Sequence, residues 1–193
     1  MDLLEFEKQM RDDLTKKFGL EEKYVWVWEK NPKVDGVLAF YGDGVVNNAV
    51  VIWITERPSL ARYKRKEHKF PDRIDDIFYG LLKEEGFENI HFTDFCKVMA
   101  KSGKRPSDEE LKASAKWLKK EIEMLDKRVE GKKLIIVANS HKVEDWIEKY
   151  LPKYKGNVTY KHFFKWYFRF KSQNARELIR NDLKQVYEET KNA

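Results

Sequence analysis

The sequence predicts an α/β protein in which a mainly parallel, four-stranded sheet lies between two layers of helices. Short, continuously apolar segments, such as residues 49–54 and 134–138, alternate with longer segments whose apolar residues recur at helical spacing. Parallel neighbours in a sheet need crossover connections, and the intervening helices supply them. No internal repeat or low-complexity tract divides the 193 residues. We therefore expect one three-layer α/β/α domain spanning residues 1–193.

The first elements are a helix and two peripheral strands. Apolar residues recur at helical spacing in residues 1–19, and Gly19 stands where a C-terminal cap belongs. Residues 24–28 and 36–41 are rich in aromatic and β-branched side chains, which favours strands or extended loops. These segments precede the predicted central sheet.

The first two core strands each end in a polar loop. Residues 49–54 form a continuously apolar run, typical of a strand buried on both faces, which stops at Thr55. A helical pattern follows over residues 72–85 and ends at Gly86, and residues 90–95 can return as a strand. Ligands of such sheets bind beyond the carboxyl ends of the strands, so both exits are candidate site positions.

The second half of the chain repeats this alternation. Ser107 and Glu110 form a capping-box pattern before a helix that Gly131 ends, and the apolar strand at 134–138 follows. Ser140 caps the next predicted helix, which Pro152 terminates. Residues 157–161 are the last predicted core strand, and a C-terminal helix covers residues 172–191.

Composition favours a polyanionic partner inside the cell. Lys and Arg outnumber Asp and Glu by 39 to 33, which gives a formal net charge of +6. The single cysteine, Cys96, excludes an intramolecular disulfide, a multi-cysteine zinc site and a four-cysteine cluster. No apolar stretch approaches the length of a membrane span. We expect a monomeric, cytoplasmic protein that needs no cofactor or metal and does not bind membranes.

Basic side chains are concentrated in the loop after the first core strand. Residues 57–73 contain seven cations and only two acids. The cations are Arg57, Arg62, Lys64, Arg65, Lys66, Lys69 and Arg73. Such a field can neutralise several phosphates, and the interleaved aromatic residues can stack on bases. The alternative is a solvated charged loop without a ligand.

A second basic and aromatic segment spans residues 160–171. Its aromatic residues alternate with cations from Phe164 onwards, as in a strand with one buried face. The outward side chains, including Lys165, would still face a ligand at the third strand exit. His162 is the one histidine of four at such an exit, and no zinc spacing, phosphate loop or nucleophile elbow occurs.

Several of these segments resemble motifs of the uracil-DNA glycosylase superfamily. Residues 52–59 resemble its first motif, in which a buried strand leads to a small residue, a variable residue, Asp, Asn or Ala, and then a proline, here Pro58. Residues 69–86 look like its base-stacking aromatic and next helix, especially in the mismatch-specific branch. Phe70 is the matching aromatic residue.

The later motifs supply the base-reading and histidine positions. Residues 90–97 are similar to the strand with the family's uracil-reading Asn, and Asp94 occupies that position. His162 falls where the histidine of the family's His-Pro-Ser motif is expected. The resemblance covers roughly residues 48–165 and is closest to the mismatch-specific and archaeal-type branches.

The resemblance implies roles for individual residues. A catalytic set would comprise His162, Glu56 and Arg57. A base-binding set would comprise Phe70, Asp94, Thr55 and Pro58. Contacts to DNA would come from Ser59, Arg62, Lys64, Arg65, Lys66, Lys69, Lys97 and Lys165. Glu56 would position water or form a salt bridge with neighbouring arginines, and the two roles stay open here.

Four motif positions depart from the family's pattern. Arg57 stands where the family has the Asp or Asn that positions water, and Phe163 and Phe164 replace the Pro-Ser after the histidine. Asp94 replaces an amide, so it can accept from N3–H of uracil but cannot donate to O4 unless protonated. Asp94 therefore favours an exocyclic amino group.

The resemblance implies an enzyme that binds single- or double-stranded DNA, flips a damaged or deaminated base such as uracil, and hydrolyses its N-glycosidic bond. One alternative is a non-catalytic nucleic-acid-binding protein of the same fold. A second is a hydrolase of nucleotides or phosphorylated metabolites, which a basic cleft would also suit.

Overall fold

The structure, a computed structural model, describes residues 3–20, 44–57, 80–87, 89–98, 105–128, 131–160 and 173–193. The elements in chain order are α1 (Leu3–Phe18), β1 (Val45–Val46), β2 (Ala49–Thr55), β3 (His91–Asp94), α2 (Asp108–Arg128), β4 (Lys133–Ala138), α3 (His141–Tyr150), a 3-10 helix (Pro152–Asn157), β5 (Val158–Tyr160) and α4 (Gln173–Lys191). Residues 80–84 are also helical. The predicted peripheral strands at 24–28 and 36–41, most of the helix at 72–85 and the aromatic segment at 161–171 lie outside the described residues.

The sheet contains four parallel strands in the order β3, β2, β4, β5. A fifth strand, β1, pairs antiparallel with the first residues of β2, and β3 pairs with the last four residues along the same edge. Both central strands are almost wholly buried, as their continuous apolar runs predict. The predicted four-stranded parallel sheet is confirmed, with β1 as a short addition.

Helices cover both faces of this sheet and give three layers. Side chains of Ile52 and Ile54 pack in one core with residues of α1, α2 and α3. Val51 and Trp53, which alternate with them along β2, pack in a second core with residues of α4 and with the segment around Phe87. The predicted α/β/α fold is therefore confirmed.

The helix ends follow the predicted capping chemistry. Ser107 Oγ accepts from the backbone N–H of Glu110 at 3.2 Å, and Glu110 Oε2 accepts from the N–H of Ser107 at 2.6 Å. These two bonds form the capping box of α2. Ser140 is the N-cap of α3, and Gly19, with φ of +58°, follows the end of α1. The 3-10 helix was not predicted, because Pro152 was interpreted only as a helix terminator.

The opposite, amino-terminal edge of the sheet is closed by the turn between β1 and β2. Asn48 donates its backbone N–H to the carbonyl of Thr190 and its side-chain amide to the carbonyl of Lys191. Asn47 Nδ2 donates to Thr190 Oγ1 at 2.7 Å. The two Asn48 bonds satisfy the last carbonyl groups of α4, and together with the Asn47 bond they fix the end of this helix on the sheet. No helix among the described residues is long and apolar enough to cross a membrane.

Candidate functional site

The carboxyl ends of β2, β3 and β4 form one tightly bonded edge. Thr55 pairs with Asp94, and Ile54 pairs with Ala138. Backbone bonds continue past the strands: Phe95 N–H donates to Thr55 O at 2.8 Å, and Asn139 N–H donates to Ile54 O at 3.0 Å. Residues that leave these strands are therefore held at fixed positions, where ligands of α/β sheets bind.

Three polar side chains lie in a row along this edge, on the face of the sheet that carries Trp53. Thr55 is two residues after Trp53, and Asp94 is two residues after Phe92, whose ring stacks on the indole of Trp53 at 5.8 Å. Asn139 accepts from Trp53 Nε1 through Oδ1 at 3.3 Å. The row therefore runs Asp94, Thr55, Asn139 across three neighbouring strands.

Asp94 is buried at this edge, with 4% of its surface exposed. Its Oδ1 accepts a hydrogen bond from Thr55 Oγ1. A hydroxyl has one proton to donate, so this bond orients Thr55 toward the carboxyl and leaves the threonine oxygen as an acceptor. The predicted pairing of Thr55 and Asp94 within one site is thus supported by direct contact.

Glu56 lies at the start of the loop after β2 and is bound to α3. Its Oε1 accepts from Ser140 Oγ at 3.0 Å, and its Oε2 accepts from Lys142 Nζ at 3.1 Å. The carboxylate thereby lies beside the N-terminus of α3, where the helix dipole favours negative charge. Of the two predicted roles, the structure supports a salt bridge, in which the partner of Glu56 among the described residues is Lys142.

Arg57 follows Glu56 and is half-buried. Burial of the nearby Cys96 thiol raises its pKa to about 11, and the charge of Arg57 opposes this rise without cancelling it. Cys96 is therefore a protonated, inert side chain at neutral pH. Its backbone N–H donates to Glu56 O at 3.0 Å, which joins the loops after β2 and β3.

A second polar cluster lies on the opposite face of the sheet, beneath α2. It consists of His91, Thr93, Lys97 and Glu121, and each is at most 4% exposed. Glu121 Oε1 lies 2.8 Å from His91 Nε2, and its Oε2 accepts from Lys97 Nζ at 2.6 Å and from Thr93 Oγ1 at 3.1 Å. Lys97 Nζ also donates to Thr93 Oγ1. We call this set the Glu121 cluster.

Lys97 was predicted to contact DNA, and its position contradicts that prediction. Its ammonium group is enclosed by the Glu121 cluster, and 2% of the residue is exposed. A phosphate-contacting cation must reach the surface, whereas this one balances a buried carboxylate. The position of Lys97 after a strand predicts a surface cation, but the sequence does not show that Glu121 lies next to it in the fold.

The electrostatics of Glu121 show that the cluster is charged. Burial raises the pKa of its carboxyl, but attraction to Lys97 and the hydrogen bond from His91 outweigh burial and lower that pKa to about 2. Glu121 is therefore ionised at neutral pH and paired with the Lys97 ammonium. The cluster anchors β3 one residue before Asp94 and three residues after it.

All of the remaining predicted site residues lie outside the described residues. They are Pro58, Ser59, Arg62, Lys64, Arg65, Lys66, Lys69, Phe70, His162 and Lys165. Among the described residues, no group of three or more His, Cys, Asp or Glu side chains could hold a metal ion. Those that the structure does bring together are Thr55, Glu56, Arg57 and Asp94.

Two features of the site were missed from the sequence. Asn139 directly follows the predicted strand at 134–138 and has no predicted role, although alternation from Ile135 and Val137 places it on the same face as Trp53. Glu121 lies in a predicted helix and has no predicted role, although the nearby residues Leu118, Ile122 and Leu125 of that helix belong to the core. An acidic residue on the buried side of a helix is a usable signal for a buried ion pair.

The comparison with known families agrees with this geometry. The family model of the uracil DNA glycosylase superfamily matches residues 41–192, which include every strand of the sheet and α4. No curated protein matches the chain. Since the family match covers well over half of its length, the chain belongs to the uracil DNA glycosylase superfamily.

Proposed function

We propose that this protein is a DNA glycosylase that binds DNA, flips a damaged or deaminated base and hydrolyses its N-glycosidic bond. Membership of the superfamily suggests a DNA glycosylase-like function with DNA as partner. The observation that carries the finer proposal is the buried contact between Thr55 and Asp94 at the carboxyl edge of the sheet. A base reader must be rigid and shielded from water, and this carboxyl is both.

In the proposed reaction the flipped base stacks on Phe70 and is read along its edge by Asp94. The bond between C1′ and the base nitrogen breaks, and its electron pair leaves with the base. His162 would donate a hydrogen bond to O2 of the base as negative charge develops there. A water molecule then adds its oxygen to C1′, and the released proton passes to the base or to solvent.

Glu56 and Arg57 support this step from the loop after β2. Both oxygens of Glu56 are already held by Ser140 and Lys142, so Glu56 fixes the loop against α3. Arg57 would stabilise the departing base anion or an adjacent phosphate, since a guanidinium cannot act as a base near neutral pH. This division leaves water activation weak, and we expect slow turnover.

Binding to DNA would depend on the predicted basic loop. Residues 57–73 and 160–171 would neutralise phosphates on either side of the base site, while the aromatic residues stack. We propose that the chain acts inside the cell as a monomeric, single-domain protein, with no need of a membrane.

The test is a cleavage assay on end-labelled oligonucleotides that contain uracil, hypoxanthine, xanthine or a mismatched thymine. Alkali breaks the strand wherever a base has been removed. We expect breaks at one or more of these bases and their loss in His162→Ala. Absence of breaks on every substrate would contradict the proposed catalysis.

One alternative function has a specific observation in its favour. Arg57 stands at the water-positioning slot, and the neighbouring carboxylate, Glu56, is engaged in a salt bridge. A non-catalytic protein that binds DNA or RNA would need neither group as a base. Binding that weakens steeply with salt but produces no abasic product would identify such a binder.

A further inference from the structure

Asn139 differs from the other polar residues at the carboxyl edge because its orientation is fixed by a group that can only donate. The indole N–H of Trp53 has no acceptor function, so the atom 3.3 Å from it must be the amide oxygen. Trp53 is fully buried and stacked on Phe92, so it holds the amide rigidly. The Nδ2 group of Asn139 is therefore the end that does not face the indole.

This Nδ2 group has two N–H bonds and no acceptor within hydrogen-bonding distance in the part of the chain that the structure describes. Asn139 is half-buried and lies one position beyond the paired residues Ile54 and Ala138. That position is next to Thr55, and Thr55 in turn contacts Asp94. An oriented amide donor and an oriented carboxyl acceptor thus flank Thr55 at this edge of the sheet.

We infer that Asn139 is a specificity-determining residue of the base site and that its Nδ2 donates to a carbonyl oxygen of the flipped base. The inference rests on the proposed function and deepens it. Asp94 can accept from an N–H but, when ionised, cannot donate to the adjacent carbonyl. Asn139 supplies that missing donor from the end of β4, on the other side of Thr55.

The geometry of the sheet allows both residues to contact one base. Adjacent strands are about 4.8 Å apart, so Asp94 and Asn139, with Thr55 between them, start from positions roughly 10 Å apart. The flipped base would lie between these two positions, with Asp94 at one end of its edge and Asn139 at the other. The fitting ligand carries a ring N–H next to a carbonyl, as uracil and hypoxanthine do and cytosine and adenine do not, so the site distinguishes each of these deaminated bases from its parent base.

The experiment measures binding of duplex oligonucleotides that carry a 2′-fluorinated deoxyuridine, which resists cleavage, or deoxycytidine at the same position. Asn139→Leu removes the donor, and Asn139→Asp keeps an oxygen for Trp53 while removing the N–H₂ group. Asn89→Asp is the matched control, because Asn89 is exposed at the other end of the sheet, before β3. Tryptophan fluorescence confirms that each variant is folded.

We expect both Asn139 variants to bind the uracil analogue about tenfold more weakly, the cost of one hydrogen bond, with binding to the cytosine duplex unchanged. Asn89→Asp should leave both affinities unchanged. If wild-type protein distinguishes the analogue from cytosine and Asn139→Leu retains that distinction, the role of Asn139 is wrong and the proposed function stands. If wild-type protein makes no distinction and cleaves no base, the proposed function fails, and this inference fails with it.

Discussion

The Glu121 cluster and the row of Asp94, Thr55 and Asn139 lie on opposite faces of the sheet, and β3 contributes residues to both. The two sets differ in how completely their polar groups are paired. In the Glu121 cluster, two carboxylate oxygens receive bonds from an ammonium group, a hydroxyl and an imidazole, all of them enclosed. Along the row of Asp94, Thr55 and Asn139, an amide donor remains without an acceptor among the described residues. We interpret the closed cluster as support and the incomplete row as the ligand site.

Alternation along the strand keeps these functions apart. His91 and Thr93 point toward α2, whereas Phe92 and Asp94 point toward α4. The charged pair can therefore hold β3 in place without putting its own charge beside the proposed base site. A buried ion pair often adds little net stability over an apolar pair, so its value here is in fixing the strand exit.

The largest effect is expected from breaking the pair on the closed side. Lys97→Met leaves the Glu121 carboxylate buried without its cation, and the free energy of unfolding should fall by about 3–5 kcal/mol. The double variant with Glu121→Leu should regain most of that loss, because both charges are gone. Urea unfolding of wild type, single and double variants measures this.

If Lys97→Met lowers the free energy of unfolding no more than the double variant does, the ion pair does not contribute as its buried geometry requires.

The activity of the double variant provides a second comparison. We expect the double variant to be stable but to excise bases more slowly than wild type, since β3 loses its anchor next to Asp94.

An acid titration provides a smaller but cleaner contrast. The folded-state pKa of Glu121 is about 2, below its ordinary value of 4.5. A lowered pKa stabilises the fold at pH values above 4.5, and this contribution disappears as the pH falls from 4.5 toward 2. Wild-type protein should therefore lose more stability over that window than the double variant, which lacks the carboxyl.

Asp108 also has a lowered pKa, chiefly through its hydrogen bond with Lys112, but it is present in both proteins and cancels in the comparison. Thermal unfolding midpoints between pH 5 and pH 2 give the result. If the unfolding midpoints of wild type and of the double variant fall in parallel as the pH is lowered, the assignment of an ionised Glu121 is wrong.

The sequence was sufficient to predict the sheet because its signals are local. The apolar runs behind β2 and β4, the capping box at Ser107 and the cap at Ser140 depend on neighbours in the chain. The contacts at the site, by contrast, join residues that are far apart in the chain. Lys97 and Glu121 are 24 residues apart, and Trp53 and Asn139 are 86 apart.

Such pairs become visible only when the register of the strands is known. Asp94 was predicted because a family motif marks it, whereas Asn139 lies in no motif and has no predicted role. Lys97 was misplaced for the related reason that a lysine after a strand has the same sequence signature whether it faces solvent or a buried carboxylate.

The smallest expected effect tests the open side of the comparison, through the bond between Thr55 and Asp94. Thr55→Val keeps the side-chain shape but removes the hydroxyl that donates to the carboxyl, and the cost for a bond to a charged group is about 1.5–3 kcal/mol when buried. Thr159→Val is the matched control, since Thr159 donates to Glu189 at 2.7 Å on the same face. The two variants should lose similar stability, but only Thr55→Val should lower the excision rate, because only Thr55 orients Asp94. Equal excision rates in the two variants would show that the Thr55 hydroxyl is structural, and would separate the rigidity of the row from its ability to read a base.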